Sequence, residues 1–266
     1  MTGALGLGVV GAGRFAAFLA RAVADLPGLR VRAVADPDRD RAETLATEHD
    51  ATANADWRAL LADDRVDVVA VVTPPQRHAE VTLAALAAGR HVLCEKPLAT
   101  DIAAGHAVAT AAEASGQVLV VDHVLRYNPL LQALVRLQAE LLGPVQRFSF
   151  ENDASDEDLP LEHWFWDAAV SGGIFVEHGV HFFDAARALL GSDPLTVRAT
   201  AVARPGGPVD MVSADVVHPG GVLASHFHSF THAHRAERQL MRLDHGFAET
   251  RISGWIPVRA EIAAWT

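Results

Sequence analysis

Short apolar runs alternate with helix-length amphipathic stretches from Leu5 to about Val121. The runs Leu7 to Val10, Val31 to Ala35, Val66 to Val72, His91 to Cys94 and Val118 to Val121 are β-rich and almost unbroken in apolar character, as parallel strands covered on both faces should be. Between them, Phe15, Phe18, Leu19, Ala22, Val23 and Leu26 fall on one face of a helix, and Ala79 to Ala88 forms another that Gly89 terminates. The alternation predicts an α/β unit with a doubly wound parallel sheet of Rossmann type.

After Asp122 the rhythm changes. A helix is expected after Pro129, a strand from Val145 to Glu151, and an acidic loop with Asp153, Asp156, Glu157 and Asp158 ahead of the aromatic stretch His163 to Trp166. Another helix follows Gly179. From Leu195 onward four or five strand-like runs are separated by turn signals such as Pro205-Gly206-Gly207 and Pro219-Gly220-Gly221, which predicts a largely antiparallel sheet. The change of rhythm places a domain boundary near Asp122, with an α/β domain over 1–122 and an α+β domain over 123–266.

Composition narrows the function classes. Half of the 266 residues are apolar and about a fifth are charged, so a packed core is expected and disorder is not. A net charge of -11 with no basic cluster disfavours nucleic acid and anionic membrane surfaces as partners. The apolar start is broken by glycines and lacks a basic leading segment, so it reads as strand and turn and not as a signal peptide or a membrane span. The single cysteine, Cys94, allows no intrachain disulfide, and a cytoplasmic location is expected.

Gly8-Val9-Val10-Gly11-Ala12-Gly13-Arg14-Phe15-Ala16 carries a GxGxxG/A pattern between the first strand and the first helix. Gly11 permits the tight turn, Gly13 lets backbone approach a pyrophosphate, and Ala16 keeps helix and strand close. Arg14 and Phe15 open the helix at the same end of the cofactor. Asp36, at the end of the second strand, is placed to accept hydrogen bonds from ribose hydroxyls and to repel the 2′-phosphate of NADP. NAD is the expected cofactor, with NADP kept open by Arg39 and Arg41.

At the end of a further strand stands Glu95-Lys96-Pro97, where ligands of open α/β sheets bind. Later comes Ser171-Gly172-Gly173 followed by Glu177, His178, Gly179, His181 and Asp184; on a helix the spacing of Glu177, His181 and Asp184 puts all three on one face. With these motifs in this order the chain resembles the Gfo/Idh/MocA oxidoreductases, over nearly its whole length. The resemblance implies a Rossmann-like domain, a C-terminal domain whose open sheet builds a homodimer or homotetramer, and oxidation or reduction at a hydroxyl or keto carbon of a sugar, cyclitol or related compound. It implies that Lys96 contacts the nicotinamide ribose and the reacting oxygen, that His181 exchanges a proton with that oxygen, and that Thr73, Pro74, His78 and Glu95 line the cofactor. It also admits two other outcomes, a redox-neutral epimerase or lyase holding NAD tightly and a cofactor-sensing regulator without turnover. Glu177 stands where the family often has an aspartate; it either orients His181, binds substrate, or is a polar residue at a helix start. The chain is shorter than family members usually are.

Remaining residues divide between roles. Arg126 and Tyr127, at the junction, are read as substrate contacts or hinge packing, and His163 and Trp166 as a polar and an aromatic wall for a hydroxylated ring. His226 with His228, and His232 with His234, have strand spacing, but no cysteine or paired carboxylates complete a ligand set, so no metal is expected and the histidines are read as lying on a sheet surface or interface. Cys94 is read as a small buried strand-end residue and not as a nucleophile.

Overall fold

The computed structural model describes residues 3–156, 158–203 and 205–265; Glu157 of the expected acidic loop lies outside them. Two compact units, Met1–Asp122 and His123–Thr266, divide the chain.

The first unit runs β1 (Leu5–Val10), α1 (Arg14–Ala24), β2 (Leu29–Ala35), α2 (Arg39–Glu48), β3 (Thr52–Asn54), α3 (Trp57–Leu61), β4 (Val68–Val71), α4 (His78–Ala87), β5 (His91–Cys94), α5 (Ile102–Ser115) and β6 (Leu119–Val121). Its six strands are ordered β3-β2-β1-β4-β5-β6 and every pairing is parallel. Side chains alternate across the sheet, as the two-residue period requires. Leu7 and Val9 of β1 join Ala16, Ala20 and Val23 of α1 and Leu45 of α2 on one face, while Val10, Val69 and Val71 join Leu60, Val81, Ala85 and Leu86 on the other. Strand β3 is an addition to the five expected runs; three residues, two of them the polar Thr52 and Asn54, offer too little periodicity to be seen.

Helix α1 turns to the sheet a face rotated from the one its large residues suggest, sharing with it Val23 and the half-buried Leu19. Ala16, Ala20 and Val23 face the sheet, whereas Phe15 is 42% and Phe18 64% exposed, and Leu26 is exposed as well. Small residues at spacings of four and three let the helix approach β1 closely, and close approach outweighs the larger apolar area of the phenylalanines, which pair with each other instead.

In the second unit, α6 (Pro129–Leu137), β7 (Val145–Asp153), α7 (Ala168–Ser171) and α8 (Val180–Leu190) precede β8 (Thr196–Ala203), β9 (Val209–Val217), β10 (Leu223–Ser229), β11 (Arg238–His245), β12 (Ala248–Ser253) and β13 (Arg259–Ala264). Asn128 starts α6 by accepting hydrogen bonds from the amides of Leu130 and Leu131, with Pro129 at the first helical position. The seven-stranded sheet is ordered β13-β12-β11-β7-β10-β9-β8, and all neighbours are antiparallel except β10 and β7. Six strands thus follow Leu195. One face carries α6 and α8 over Phe148, Phe150, Ala214, Val216, Met241, Leu243 and Ile252, and the rings of Phe150 and Phe182 stack with centroids 3.6 Å apart. Strand β8, at the edge, is exposed along its whole length.

Phe182 is fully buried and ties α8 to the sheet. Phe182→Ala is expected to lower stability by about 3–5 kcal/mol, read as a shift of the urea midpoint; a loss within experimental error would show that α8 is anchored by other contacts.

Candidate active site

The glycine turn follows directly from β1. Gly11 has φ +98° and a side chain there would stand 2.5 Å from the carbonyl oxygen of Val72, so no other residue fits. Its amide binds the carbonyl of Ala35 at 2.8 Å. Gly13 caps α1 without any side-chain partner, and the space above it is open for at least 4 Å. The first turn of α1 has no acidic residue, which leaves amides and a positive helix end for an anion.

Asp36 is fastened to this turn. Its Oδ2 accepts from the amide of Ala12 at 2.7 Å and its Oδ1 from that of Asp38 at 2.8 Å, and each oxygen keeps lone pairs for a hydroxyl. Asp38 in turn caps α2 by accepting from Arg41 N at 3.2 Å, and also holds the Arg41 guanidinium at 3.0 Å. Arg39 lies 3.9 Å from Glu43. Asp38 and Arg41 border a cavity of about 310 Å³ that Ala12 and Thr44 also line.

Two more loops leave the same edge of the sheet, after β4 and β5. The hydroxyl of Thr73 is buried without a partner among the described residues, and Pro74 beside it is exposed. Glu95 continues the ladder through its amide to Val71 O at 2.9 Å, and the peptide between Lys96 and Pro97 is cis. Burial, and then the carboxyl of Asp122, push Glu95 up to about 8, against the pull of Lys96. The side chain of Glu95 accepts from the amide of Lys96 at 3.2 Å. Burial also drives the Cys94 thiol up to about 12, which agrees with a packed strand-end residue and not with a nucleophile. His78 lies beneath these loops and not at their surface: it is 1% exposed, and both ring nitrogens face main-chain carbonyls, leaving neither for a cofactor.

An uncapped helix start, open space over Gly13, a carboxylate at the ribose position and an orphaned threonine hydroxyl suit a dinucleotide.

In the second unit, Glu177, His181 and Asp184 do not lie on one regular helix. Phe175–Gly179 is a π-helical turn that runs into α8, so the step from Glu177 to His181 crosses a change of pitch. Gly179 admits the wide turn: a side chain there would meet the Phe175 ring at 2.9 Å. Glu177 and His181 are both buried, and the indole of Trp255, a residue that the sequence motifs do not reveal, meets the His181 ring edge-on at 4.7 Å. Trp255 follows β12 after a turn, and nothing near it in the sequence announces this contact. Asp184 is clasped by Arg126 at 2.7–2.9 Å, which commits the expected substrate guanidinium to an internal pair, while Tyr127 is 63% exposed. His163 accepts from Phe165 N at 3.3 Å and caps a short turn, and Trp166 packs edge-on against Phe165 and Phe230.

The histidine pairs separate. His226 and His228 share a face of β10, but it is the core face and not a surface: both are buried, beside Phe183 and Phe182 respectively. His232 and His234 lie after β10 outside any strand, near Asp153 and Asp158; the loop removes the two-residue period that would have aligned them. Among the described residues no group of three or more His, Cys, Asp or Glu side chains could hold a metal ion. Burial, followed by the charge of His218, lowers His226 to about 3, and burial lowers His228 as well. In the unfolded chain these rings protonate near ~6.5. The unfolded state therefore binds more protons below that pH, and stability should hold above ~6.5 and fall as the pH drops toward 3. His226→Leu should flatten that fall in acid-titrated urea midpoints; an unchanged slope would assign the acid sensitivity elsewhere.

Known proteins share both units. A family model described as "Oxidoreductase family, NAD-binding Rossmann fold" matches residues 5–123, and one described as "GFO/IDH/MocA C-terminal domain" matches residues 131–248. The chain is 32% identical to D-xylose 1-dehydrogenase (NADP(+)) 2 of Haloferax volcanii over 72% of its own length and 59% of that protein's. It is 30% identical to UDP-N-acetylglucosamine 3-dehydrogenase of Acidithiobacillus ferrooxidans, over 84% of its length and 65% of the other's. The chain thus spans less than two thirds of either relative. A crystal structure of an NAD binding oxidoreductase from Klebsiella pneumoniae superposes with a TM-score of 0.85 at 26% identity, covering 98% of this chain and 76% of that one.

Proposed function

Because the chain belongs to the GFO/IDH/MocA oxidoreductase family, we propose that it is an NAD(H)-dependent oxidoreductase acting on a hydroxyl or keto carbon of a sugar, a cyclitol or a related small molecule. The observation that carries this reading is the sharing of one sheet edge by three features. The glycine turn, the orphaned Thr73 hydroxyl and the Glu95-Lys96 bend follow β1, β4 and β5, which are adjacent in the sheet. Between β1 and β4 the strand order reverses, and open α/β sheets bind dinucleotides at such a reversal.

When bound, the nicotinamide supplies the acceptor or donor of hydride. The chain's own work is electrostatic and acid–base. Lys96 stabilises negative charge on the reacting substrate oxygen, and His181 takes or returns the hydroxyl proton. Glu177 orients His181 or binds a substrate hydroxyl. Gly13 and the amides of Arg14 and Phe15 receive the pyrophosphate, and Asp36 the ribose, with Thr73, Pro74 and Glu95 along the nicotinamide half. His163 and Trp166 are assigned to the substrate wall, and Tyr127 to the substrate entrance. Asp36 favours NAD over NADP, and Asp38 strengthens the preference because it already holds the Arg41 guanidinium that a 2′-phosphate would need.

The β8 edge, exposed along its length, supports self-association of the open sheet as a homodimer or homotetramer. The acidic net charge favours a small-molecule substrate over nucleic acid, and the single cysteine, buried and free, supports a cytoplasmic setting. No helix among the described residues is long and apolar enough to cross a membrane.

Two tests follow, both on a panel of sugars, cyclitols and their keto forms. Lys96→Ala should lower turnover on the order of 10²- to 10³-fold and disturb NADH binding much less; undiminished turnover would remove Lys96 from the chemistry. Asp36→Ser should move the ratio of NADPH to NADH dissociation constants toward NADPH by roughly 10- to 100-fold. A ratio that stays put would mean that ribose discrimination resides in another group.

A further inference from the structure

His78 begins α4, and its ring spans the gap between the loop after β4 and the loop after β5. Nδ1 stands 2.6 Å from the carbonyl oxygen of Pro97, and Nε2 stands 2.7 Å from that of Thr73. A carbonyl oxygen offers only lone pairs, so each ring nitrogen has to bring its own hydrogen. A neutral imidazole has one N–H, and in either tautomer the second contact would set lone pair against lone pair. Both separations are also shorter than the about 2.9–3.0 Å usual for neutral N–H···O bonds and match charge-assisted ones.

We propose that His78 is an imidazolium that acts as a positioning residue, pinning the Lys96–Pro97 bend to the Thr73–Pro74 bend. Regular pairing of β4 with β5 ends at Val71 and Cys94, and the last main-chain bond of that ladder runs from Glu95 N to Val71 O. The ring extends the connection beyond that point, one residue past Lys96 on one side and at Thr73 on the other. Charged groups near this clamp on its own helix, Arg77 and Glu80, are paired with each other at 2.6 Å and exposed. On the neighbouring strands stand Glu95 and Asp122, whose carboxyls hydrogen-bond to each other, and Lys96 itself. The proposal rests on the reading that Lys96 serves the substrate oxygen: a lysine on a bend that can slide would lose the alignment that makes its charge useful.

The experiment is a nitrogen–proton correlation spectrum of the ring in the unliganded, unaltered protein, assigned with His78→Gln, together with kinetics of that variant. Both ring nitrogens should carry protons through pH 7 and above; one nitrogen found deprotonated at pH 7 would overturn the proposal. Glutamine brings a single donor nitrogen and no charge, so kcat should fall on the order of 100-fold while the NADH dissociation constant moves by about threefold or less. A variant with a lower melting temperature but unaltered kcat would overturn the positioning role. The ring spectrum decides the charge without requiring any variant to fold, since the assignment can also be made by ring-to-carbonyl couplings. A doubly protonated ring in a protein that turns over no substrate of the panel would leave the clamp standing and overturn the assigned reaction, so the two failures are distinct.

Discussion

Where Gly11 lacks a side chain, the carbonyl oxygen of Val72 fills the space, and the 2.5 Å that separates that oxygen from a would-be methyl group sets the geometry of the first unit's upper edge. Only a residue at positive φ with no Cβ lets β1 turn away beside β4 while both strands stay paired. Since β1 and β4 are the two strands at which the sheet order reverses, this one close approach decides where the crevice opens. The tie from Asp36 to the amide of Ala12 then fixes the turn against β2. Backbone shape and, on the proposed function, cofactor preference thereby depend on the same few atoms.

A second consequence concerns the charge beside Lys96. Glu95 and Asp122 lie at the ends of neighbouring strands, and burial together with the Asp122 carboxyl raises Glu95 to about 8, which leaves Glu95 protonated near neutrality. A protonated Glu95 adds no negative charge of its own beside the ammonium group of Lys96. On the proposed function, the ammonium group is then less neutralised where the substrate oxygen gains electron density. His226 and His228 in the second unit show the same effect of burial on a base: there the low-dielectric core keeps the rings uncharged beside phenylalanines, where they serve as packing groups.

Much of this is legible from the residues. The glycine turn, Asp36, the Glu95-Lys96-Pro97 bend and the apolar strands of the first unit announce themselves because each depends on local chemistry: a missing Cβ, a charge at a strand end, an unbroken apolar run. What escapes depends on partners distant in sequence. The buried face of α1 is chosen by how near the helix must come to β1, which the sizes of Phe15 and Phe18 misrepresent. The parallel pairing of β10 with β7 follows from the path of the chain and not from either strand's composition. Trp255 reaches His181 from the far side of β12, and Arg126 finds Asp184 across 58 positions; neither contact leaves a periodic trace. His78 reads as a cofactor contact because it shares a motif with Thr73 and Pro74, and only the folded chain reveals that it faces inward.

The wide turn at Phe175–Gly179 makes the bearing of the His181 imidazole a matter of counting. A π turn holds one residue more than an α turn, and each residue of an α-helix advances the side-chain direction by roughly 100°. A deletion of one amino acid here would restore regular winding, and would swing everything upstream, Glu177 included, around the axis relative to the ring. The surplus residue thus works as an angular spacer, one that insertion and deletion can adjust in steps and that point substitution cannot.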